Sequence, residues 1–309
     1  MSTAEAAGPA TAIGVDRDDY GTPGRADWLD VDWRQHLRCA KVHDADVCYV
    51  ELGSGPPLVF VHGLAGCWQN WLENIPHFAR SHRVIAADLP GFGQSELPRE
   101  DISIPGYGRF IDAFLGAIDI ERAPLVGNSM GGFIAAETAI SHPARVEKLV
   151  LVDAAGGPAL HEWHSRYGAR LLRAARLVHP IMAAGLARRE TLVRRPRLRR
   201  TILYKVARHP ERIAPELCYE VASGAGKPGF LDALKALSEY DFCDRLPAIS
   251  SPTLIVWGES DEIVPVADAH EYERLIPGAR KVIFDDTGHV PMLERPARFN
   301  RVLEDFLAQ

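Results

Sequence analysis

Ser129 lies between two glycines in the segment LVGNSMGGF, where an apolar run gives way to a helix-like one. Ordinary turns also combine these residues, because glycine accepts positive φ and serine caps helices. The G-x-S-x-G spacing indicates something more specific, a sharp strand-to-helix turn that exposes the serine hydroxyl as a nucleophile. In such a turn the positions two before and two after the serine press together, which accounts for Gly127 and Gly131.

A serine hydroxyl is a weak nucleophile at neutral pH, so this interpretation requires a general base. His289, in DDTGHVPMLE, follows the last buried apolar run and precedes one closing helix pattern. That position is at the same edge of the predicted sheet as Ser129, whereas most of the other histidines fall in or beside helical segments. We therefore predict that His289 is the base.

The base in turn requires an acid that orients it. Asp261, in VWGESDEIVP, lies just beyond the preceding apolar run and gives the chain order serine, aspartate, histidine. Asp153, directly after LVLV, is directed to the same edge and is the alternative. Weaker alternatives are Glu259 and Glu262. We predict Asp261 as the acid.

The tetrahedral intermediate of such a reaction needs backbone N–H donors for its negative charge. We predict the amide of Met130, at the N-terminus of the following helix, and that of Leu64, in the loop after VFVHG. The substrate pocket is predicted to include His62, Gly63, Trp68, Asn128 and Val290. No metal ligands are predicted.

These groups require a scaffold that brings distant parts of the chain to one edge. Two short strand patterns, LRCAKV and DVCYVEL, predict a hairpin. The apolar runs PLVFVHG, HRVIAADLPG, APLVGNS and VEKLVLVDAAG then alternate with helix-length segments at residues 70–80, 107–118 and 130–141. This alternation predicts an α/β fold, a mostly parallel sheet with helices on both faces and ligands at its carboxyl edge.

The alternation stops after residue 155 and resumes with PTLIVWGESD and ARKVIFDDTGH. We predict an α/β core from residues 34–155 and 241–309, with a helical cap at residues 156–240 over the carboxyl edge. Residues 1–33 are small, polar and acidic, without a basic flank before an apolar run. They are predicted to be a disordered tail and not a signal peptide.

Composition excludes several classes of protein. The 309 residues are 47% hydrophobic and 25% charged, as in globular proteins, and the net charge of -6 argues against a general nucleic-acid binder. No apolar run approaches the roughly 18 residues of a membrane span. The five cysteines are scattered without a C-x-x-C pair, which favours reduced thiols over a disulfide framework or a zinc site. We expect a soluble, cytoplasmic protein.

The predicted cap is unusually basic. Residues 156–212 contain fourteen Lys or Arg against three Glu, a formal charge of +11, which leaves -17 on the rest of the chain. Over residues 160–178 apolar positions at helical spacing oppose Arg166, Arg170 and Arg173. Three interpretations stay open: a solvated face, which is the default; peripheral contact with an anionic membrane; or an inward arginine in ARRE or VRRPRLRR that holds a substrate carboxylate or phosphate.

Five motifs in order, FVHGLAG, DLPGFGQS, VGNSMGG, WGESDEIVP and GHVPMLERP, resemble the α/β-hydrolase fold family over about residues 37–307. The resemblance implies an eight-stranded, mostly parallel sheet, an inserted helical cap, and a triad of Ser129, His289 and Asp261 without a metal or organic cofactor. Haloalkane dehalogenases and epoxide hydrolases of this family carry aspartate as the nucleophile, so Ser129 argues against both.

Two serine branches of the family remain. GNSMGG and CWQNWLENIP resemble carbon-carbon hydrolases that cleave ring-fission products of aromatic degradation, but those enzymes usually have tryptophan after the base histidine and a more glycine-rich oxyanion loop than HGLAG. GHVPMLERP resembles esterases and lipases. We therefore predict a serine hydrolase of a small carboxylic ester with an apolar portion, acting through an acyl-enzyme. The alternatives are a carbon-carbon hydrolase of the meta-cleavage-product type and a non-catalytic ligand-binding receptor on the same fold.

Overall fold

A single sheet organises the protein. The structure, a computed structural model, describes residues 19–43, 45–160, 170, 172–177, 180 and 188–309. Its strands are β1 (Leu37–Val42), β2 (Ala45–Leu52), β3 (Pro57–Val61), β4 (Arg83–Ala87), β5 (Ala123–Asn128), β6 (Val146–Val152), β7 (Thr253–Gly258) and β8 (Arg280–Phe284). They form an eight-stranded sheet in the order β1-β2-β4-β3-β5-β6-β7-β8, which confirms the predicted architecture.

The pairing directions determine which loops meet. The β1–β2 and β2–β4 pairs are antiparallel, and the remaining pairs are parallel. Strands β5 and β7 are buried along their whole length, as expected for parallel strands covered on both faces. Because β5, β6, β7 and β8 are consecutive neighbours, the loops that follow them emerge at one carboxyl edge. Ser129, Asp153, Asp261 and His289 all belong to those loops.

Helices cover both faces of the sheet. Within the described residues the helices are α1 (Ile75–Phe78), α2 (Ile104–Ala117), α3 (Met130–Ser141), α4 (Arg189–Val193), α5 (Pro196–Leu203), α6 (Pro215–Val221), α7 (Phe230–Glu239), α8 (Val266–Leu275), α9 (Pro291–Glu294) and α10 (Pro296–Leu307), of which α4 to α7 belong to the segment between β6 and β7. One apolar core packs α2, α3 and α8 against one face, and a second packs α9, α10 and the segment after β3 against the other. Among the described residues, no helix is both long and apolar enough to cross a bilayer.

The helix predicted over residues 70–80 is not continuous. The structure has a 3₁₀ turn at Trp68–Trp71 and then the short helix α1. Pro76 lacks an N–H and cannot continue a helix that begins at Asn70, although it fits the first turn of a new one. Between the two turns, Asn74 Nδ2 donates to Asn300 Oδ1 at 2.8 Å, a tertiary contact that no local pattern encodes.

The ordered body begins earlier than the predicted boundary at residue 34. Tyr20 and Trp28 are buried, and Glu73 accepts hydrogen bonds from Thr22 Oγ1 at 2.5 Å and from Trp28 Nε1 at 3.0 Å. The polar average of residues 1–33 conceals these aromatic anchors, so the prediction of disorder is wrong for the described part of the tail. Residues 1–18 lie outside the described residues.

Candidate active site

Ser129 is the single residue between β5 and α3. Its backbone has φ 55° and ψ -119°, a left-handed conformation that is unfavourable for a residue with a side chain. A Cβ on Gly127 would lie 2.2 Å from the carbonyl oxygen of Gly131, and one on Gly131 would lie 2.2 Å from that of Val61. Glycine is therefore required at both positions, and the turn has the sharp geometry expected from G-x-S-x-G. Ser129 is half-buried, so the turn leaves it open to a small molecule.

His289 and Asp261 are in direct contact. His289 Nδ1 lies 2.7 Å from Asp261 Oδ2, and both side chains are almost completely buried. The other carboxylate oxygen, Asp261 Oδ1, accepts from the amides of Ile263 at 2.7 Å and Val264 at 3.0 Å. These amides fix the carboxylate, and the carboxylate places the proton of the neutral imidazole on Nδ1. His289 Nε2 is then the basic nitrogen.

Asn128 connects the histidine loop to the serine turn. Its Nδ2 donates to the carbonyl oxygens of Val152 and His289, both at 3.1 Å. The residue that precedes Ser129 is thus bonded to the backbone of His289. This bond brings the serine turn and the histidine loop together, whereas within the described residues the Ser129 hydroxyl makes no hydrogen bond to His289.

The two predicted oxyanion donors flank this turn. The first N–H groups of a helix have no intrahelical acceptor, and Met130 is the first residue of α3. Gly63 precedes Leu64 and lies against the serine, because a Cβ on Gly63 would be 3.0 Å from Ser129 Cβ. Within the described residues, neither the Leu64 nor the Met130 amide donates to another protein group.

Two buried side chains brace the loop that contains Leu64. His62 Nδ1 lies 2.8 Å from Gly63 O, and His62 Nε2 accepts from Leu89 N at 2.9 Å, so the proton belongs on Nδ1. Burial lowers the pKa of His62 to about 4, which keeps the ring neutral. Asp88 accepts from Trp68 N and Gln94 N, both at 2.8 Å, and burial raises the pKa of its carboxyl to about 6.

Asp153, the alternative acid, lies beside the Asp261–His289 pair without replacing it. Its Oδ1 accepts from Gly258 N at 2.9 Å, whereas its buried Oδ2 accepts from no described group. Burial, and then the charge of Asp261, raise the pKa of Asp153 well above the ordinary value. Protonation of Asp153 would turn this oxygen into a donor toward the Asp261 carboxylate.

Asp153, Asp261 and His289 are also the one group of described residues whose side chains come close enough to share a cation, within 4.8 Å. The 2.7 Å contact between His289 Nδ1 and Asp261 Oδ2 has hydrogen-bond length. Each of these two atoms is thus already committed to the other. The arrangement fits a histidine base oriented by a carboxylate better than a metal centre.

The sequence interpretation missed Glu294, whose carboxylate accepts hydrogen bonds from the backbone of the histidine loop. Glu294 is buried in α9, and it accepts from Gly288 N at 2.9 Å, Val290 N at 3.3 Å and Arg208 N at 2.7 Å. Tyr20 OH also donates to Glu294, at 2.7 Å, and accepts from His209 N at 2.8 Å. The one available signal is an acidic residue directly after the apolar run VPML, six residues beyond Gly288.

Residues between β6 and β7 contact both loops of the candidate site. His289 N donates to Val206 O at 3.0 Å, and Cys67 Sγ lies 3.4 Å from Ser223 Oγ. All described secondary structure in this segment is helical, in agreement with the pattern of its sequence. Most of the amphipathic stretch predicted at residues 160–178 lies outside the described residues.

The five predicted pocket residues have different surroundings. Asn128 and His62 are buried, and their polar atoms bond to the backbone; as pocket residues they stay predictions. Gly63 lies directly against Ser129. Trp68 and Val290 are buried beside the two loops and stay predictions as pocket residues.

An inward arginine is present in the segment VRRPRLRR, but its role differs from the predicted one. Arg199 is buried in α5 and donates to the carbonyl oxygens of Val193, Pro210 (3.3 Å) and Glu211 (2.9 Å). Backbone carbonyls thus occupy its guanidinium, which joins α5 to the turns around it. Arg199 is a structural clamp and does not serve as a substrate carboxylate site.

Comparisons with known proteins agree with this architecture. A family model described as alpha/beta hydrolase fold matches residues 56–296. A 2-hydroxy-6-oxononadienedioate/2-hydroxy-6-oxononatrienedioate hydrolase of Paraburkholderia phymatum is 33% identical over 277 residues, covering 85% of this chain and 91% of the relative. Among solved structures, a membrane phospholipase A is 29% identical with a TM-score of 0.68, covering 88% of this chain and 85% of the other.

Another solved structure, Est816, described as an N-acyl homoserine lactone degrading enzyme, is 29% identical with a TM-score of 0.67 and covers 87% of this chain and 100% of the other. The relatives therefore include hydrolases of carbon-carbon bonds and of esters. The family model spans well over half of the chain and includes the serine turn, Asp261 and His289. The protein belongs to the α/β-hydrolase fold family.

Proposed function

We propose that the protein is a serine hydrolase that cleaves a carboxylic ester with an apolar portion. The observation that carries this proposal is the joined network at the carboxyl edge. Ser129 is held at a strained turn, and the Asp261–His289 pair, with a contact of 2.7 Å, is tied to that turn through Asn128. Strain at a half-buried serine, on a turn bonded to the loop of an oriented imidazole, has no evident structural purpose and fits a nucleophile.

In the proposed reaction, Ser129 Oγ attacks the ester carbonyl while His289 Nε2 accepts its proton. Asp261 keeps the imidazole oriented and stabilises the imidazolium. The amides of Leu64 and Met130 bind the oxyanion, and each such donor typically stabilises the transition state by about 3 kcal/mol. His289 then protonates the leaving alcohol, and water, activated by the same imidazole, hydrolyses the acyl-enzyme.

A carbon-carbon hydrolase is the second candidate, because the Paraburkholderia relative is named as one. Substrates that are dioates, as in that name, carry carboxylates that need a cationic partner. The buried Arg199 is bonded to backbone carbonyls, and Arg189 lies over the Tyr219 ring at 4.2 Å with a hydrogen bond to its hydroxyl. Neither of these two arginines is therefore available to a substrate carboxylate, and the likeness of GHVPMLERP to esterases and lipases makes the ester the first candidate.

We also propose that the segment at residues 156–240 is a cap over the site and makes peripheral contact with anionic membranes. Its contacts with the histidine and Leu64 loops support the first part. Its charge of +11 over residues 156–212 supports the second, together with the exposed apolar side chains of Leu177, Ile202 and Tyr204. Basic surfaces with exposed aromatic and aliphatic groups bind anionic lipid.

The test of hydrolysis uses short p-nitrophenyl esters and the purified full-length protein. We expect turnover by the wild type, its loss in Ser129→Ala, and retention in the matched variant Ser238→Ala, which removes a hydroxyl from α7. A fluorophosphonate probe should label the wild type and Ser238→Ala but not Ser129→Ala. Equal labelling or turnover in all three proteins would contradict the assignment of Ser129.

The same proteins separate the alternative functions. A carbon-carbon hydrolase would consume a coloured dienoate much faster than simple esters, whereas an esterase would show the reverse preference. A ligand-binding receptor would leave both substrates and the fluorophosphonate unreacted. Assay of both substrate types with one preparation distinguishes the three functions.

A further inference from the structure

Cys39 and Cys48 lie directly opposite each other in the hairpin of β1 and β2. Their Sγ atoms are 3.0 Å apart, which is sulfur-sulfur contact. Residues opposite each other on neighbouring antiparallel strands project from the same face of the sheet. The next such pair along the hairpin, Lys41 and Asp46, also meets, in an ion pair of 3.2 Å. Two thiols that look unrelated in the sequence are therefore neighbours in the fold.

The backbone at this pair already has the spacing of a disulfide. Cys48 N donates to Ser95 Oγ at 2.9 Å and Cys48 O accepts from Asp88 N at 2.9 Å, so its peptide groups face away from β1. Cys39 and Cys48 are therefore a non-hydrogen-bonded pair, the type in which Cα atoms are about 4.5 Å apart. Disulfides usually join Cα atoms about 4.4–6.8 Å apart. The backbone of the hairpin can therefore stay in place, and only the two side chains move when the bond forms.

We propose that Cys39 and Cys48 form a redox-active dithiol that small-molecule disulfides oxidise to a cross-strand disulfide. The Cys39 thiolate attacks one sulfur of the oxidant, forms a mixed disulfide and expels one thiol. The Cys48 thiolate then attacks the Cys39 sulfur, forms the Cys39–Cys48 bond and expels the second thiol. The protein loses two electrons and two protons, and the oxidant is reduced to two thiols.

Exposure assigns the order of the two steps. Cys39 is exposed and meets the oxidant first, whereas Cys48 is half-buried. Burial, and then the neighbouring Cys39, raise the pKa of the Cys48 thiol to about 12, so closure of the disulfide is slow at neutral pH and accelerates as pH rises. The other three cysteines also belong to the described part of the chain, and none of their sulfur atoms contacts a second sulfur atom. They are Cys67, Cys218 and Cys243.

The bridge would act on one edge of the sheet. Strand β1 is at the edge and pairs only with β2. An edge strand is the part of a sheet most prone to separate or to pair with another chain. A covalent link across the hairpin restricts the unfolded chain and keeps β1 in register, so the oxidised protein is expected to be more stable than the reduced one.

The test is oxidation of reduced full-length protein with oxidised glutathione at mildly alkaline pH. We expect the wild type to lose two of its five titratable thiols without retaining glutathione, and peptide mapping to find Cys39 joined to Cys48. Cys48→Ser should trap glutathione on Cys39, Cys39→Ser should form no internal disulfide, and the matched variant Cys243→Ser should behave as the wild type. Thermal unfolding should shift upward by several degrees on oxidation, except in Cys39→Ser and Cys48→Ser.

Two results would overturn the proposal: five thiols that persist through prolonged oxidation, or a glutathione adduct on Cys39 that the wild type never resolves. Cooperative thermal unfolding of reduced Cys39→Ser near the wild-type midpoint serves as the folding control. The thiol chemistry is read directly, so its outcome does not depend on the proposed function.

Discussion

The two aspartates next to His289 are expected to contribute very differently to catalysis. Asp261 accepts the Nδ1 proton of His289 at 2.7 Å, whereas Asp153 bonds to Gly258 N. Asp261→Asn should therefore lower kcat for ester hydrolysis by roughly 10³–10⁴-fold, because an amide favours the wrong imidazole tautomer. Asp153→Asn should keep most of the activity, since Asp153 bonds to Gly258 N instead of His289 and an amide oxygen can accept the same hydrogen bond. Steady-state kinetics of both variants check this; equal losses would mean that the two carboxyls act as one unit.

Asp153 also predicts a pH dependence of stability. Its pKa is raised in the folded protein, so the native state retains a proton that the unfolded chain has released above about pH 4. The wild-type free energy of unfolding should therefore fall as pH rises through this window, with a slope of up to about 1.4 kcal/mol per pH unit from this group. Asp153→Asn cannot titrate, so its stability relative to the wild type should increase with pH.

Urea unfolding of wild type and Asp153→Asn between about pH 4 and 8 measures this difference. Asp285→Asn is the control with the opposite sign, because the hydrogen bond from Arg298 holds the pKa of Asp285 below the ordinary value. That interaction stabilises the protein above about pH 4 and is lost on acidification. A difference between Asp153→Asn and wild type that does not change with pH would exclude a protonated Asp153.

Single residues with chemical roles were predictable where their type and spacing were unusual. Ser129 lies in a five-residue motif, and His289 and Asp261 follow apolar strands. Glu294 and Tyr20 were not predictable, because the residue type alone does not show whether a glutamate or a tyrosine is buried or exposed. Their importance comes from contacts across 274 positions of sequence, which no local pattern contains.

At the scale of elements, the strand-to-helix turn tolerates no side chain beside the serine. Gly131→Ala would place Cβ 2.2 Å from Val61 O, in rigid backbone, so the variant should be insoluble or inactive. Gly116→Ala is the matched control, because its Cβ would meet only Arg145 Nη2 at 3.5 Å, and alanine favours helix α2 by about 1 kcal/mol. Soluble expression and thermal unfolding compare the two. A stable, active Gly131→Ala would contradict the geometry of the turn.

The N-terminal segment is expected to support the histidine loop. Tyr20→Phe removes the hydroxyl that joins Glu294 and His209 N, and leaving buried groups unpaired typically costs about 1–3 kcal/mol. We expect lower stability and also slower fluorophosphonate labelling of Ser129, since Glu294 binds the amides on both sides of His289. Tyr204→Phe, at an exposed tyrosine, is the control. If labelling of Tyr20→Phe at a temperature where it is fully folded matches the wild type, Tyr20 only stabilises the fold.

Elements were predictable where one physical signal dominated. Buried β-branched runs identified the parallel strands, and the helix predicted over residues 130–141 has the bounds of α3, Met130–Ser141. The helix bounds in the segment after β3 were not predictable. Pro76 interrupts the helix there, and the Asn74–Asn300 contact, which joins distant parts of the chain, leaves no local pattern. The described part of the tail was misjudged because two aromatic anchors matter more than its average polarity.

At the scale of the whole molecule, positive and negative charges are concentrated in different parts of the chain. A net charge of -6 conceals +11 on residues 156–212 and -17 elsewhere. Such a dipolar distribution can orient a protein on an anionic surface even when its total charge is negative. The exposed apolar side chains of this basic region, Ile202 and Tyr204, lie in and directly after α5.

Vesicle binding is therefore predicted to depend on lipid charge, salt and these two side chains together. Wild-type protein should sediment with phosphatidylglycerol-containing vesicles at low salt and less at high salt, where the screening length falls from about 10 Å at 0.1 M to about 3 Å at 1 M. It should not sediment with neutral phosphatidylcholine vesicles, because its apolar contact area is too small to hold it without charge.

The double variant Ile202→Ser, Tyr204→Ser should weaken sedimentation, whereas Leu97→Ser, which removes an equally exposed apolar side chain outside the basic region, should not. Absence from both kinds of pellet would mean that the basic face is only solvated, and the ester substrate would then be expected to reach the site from solution.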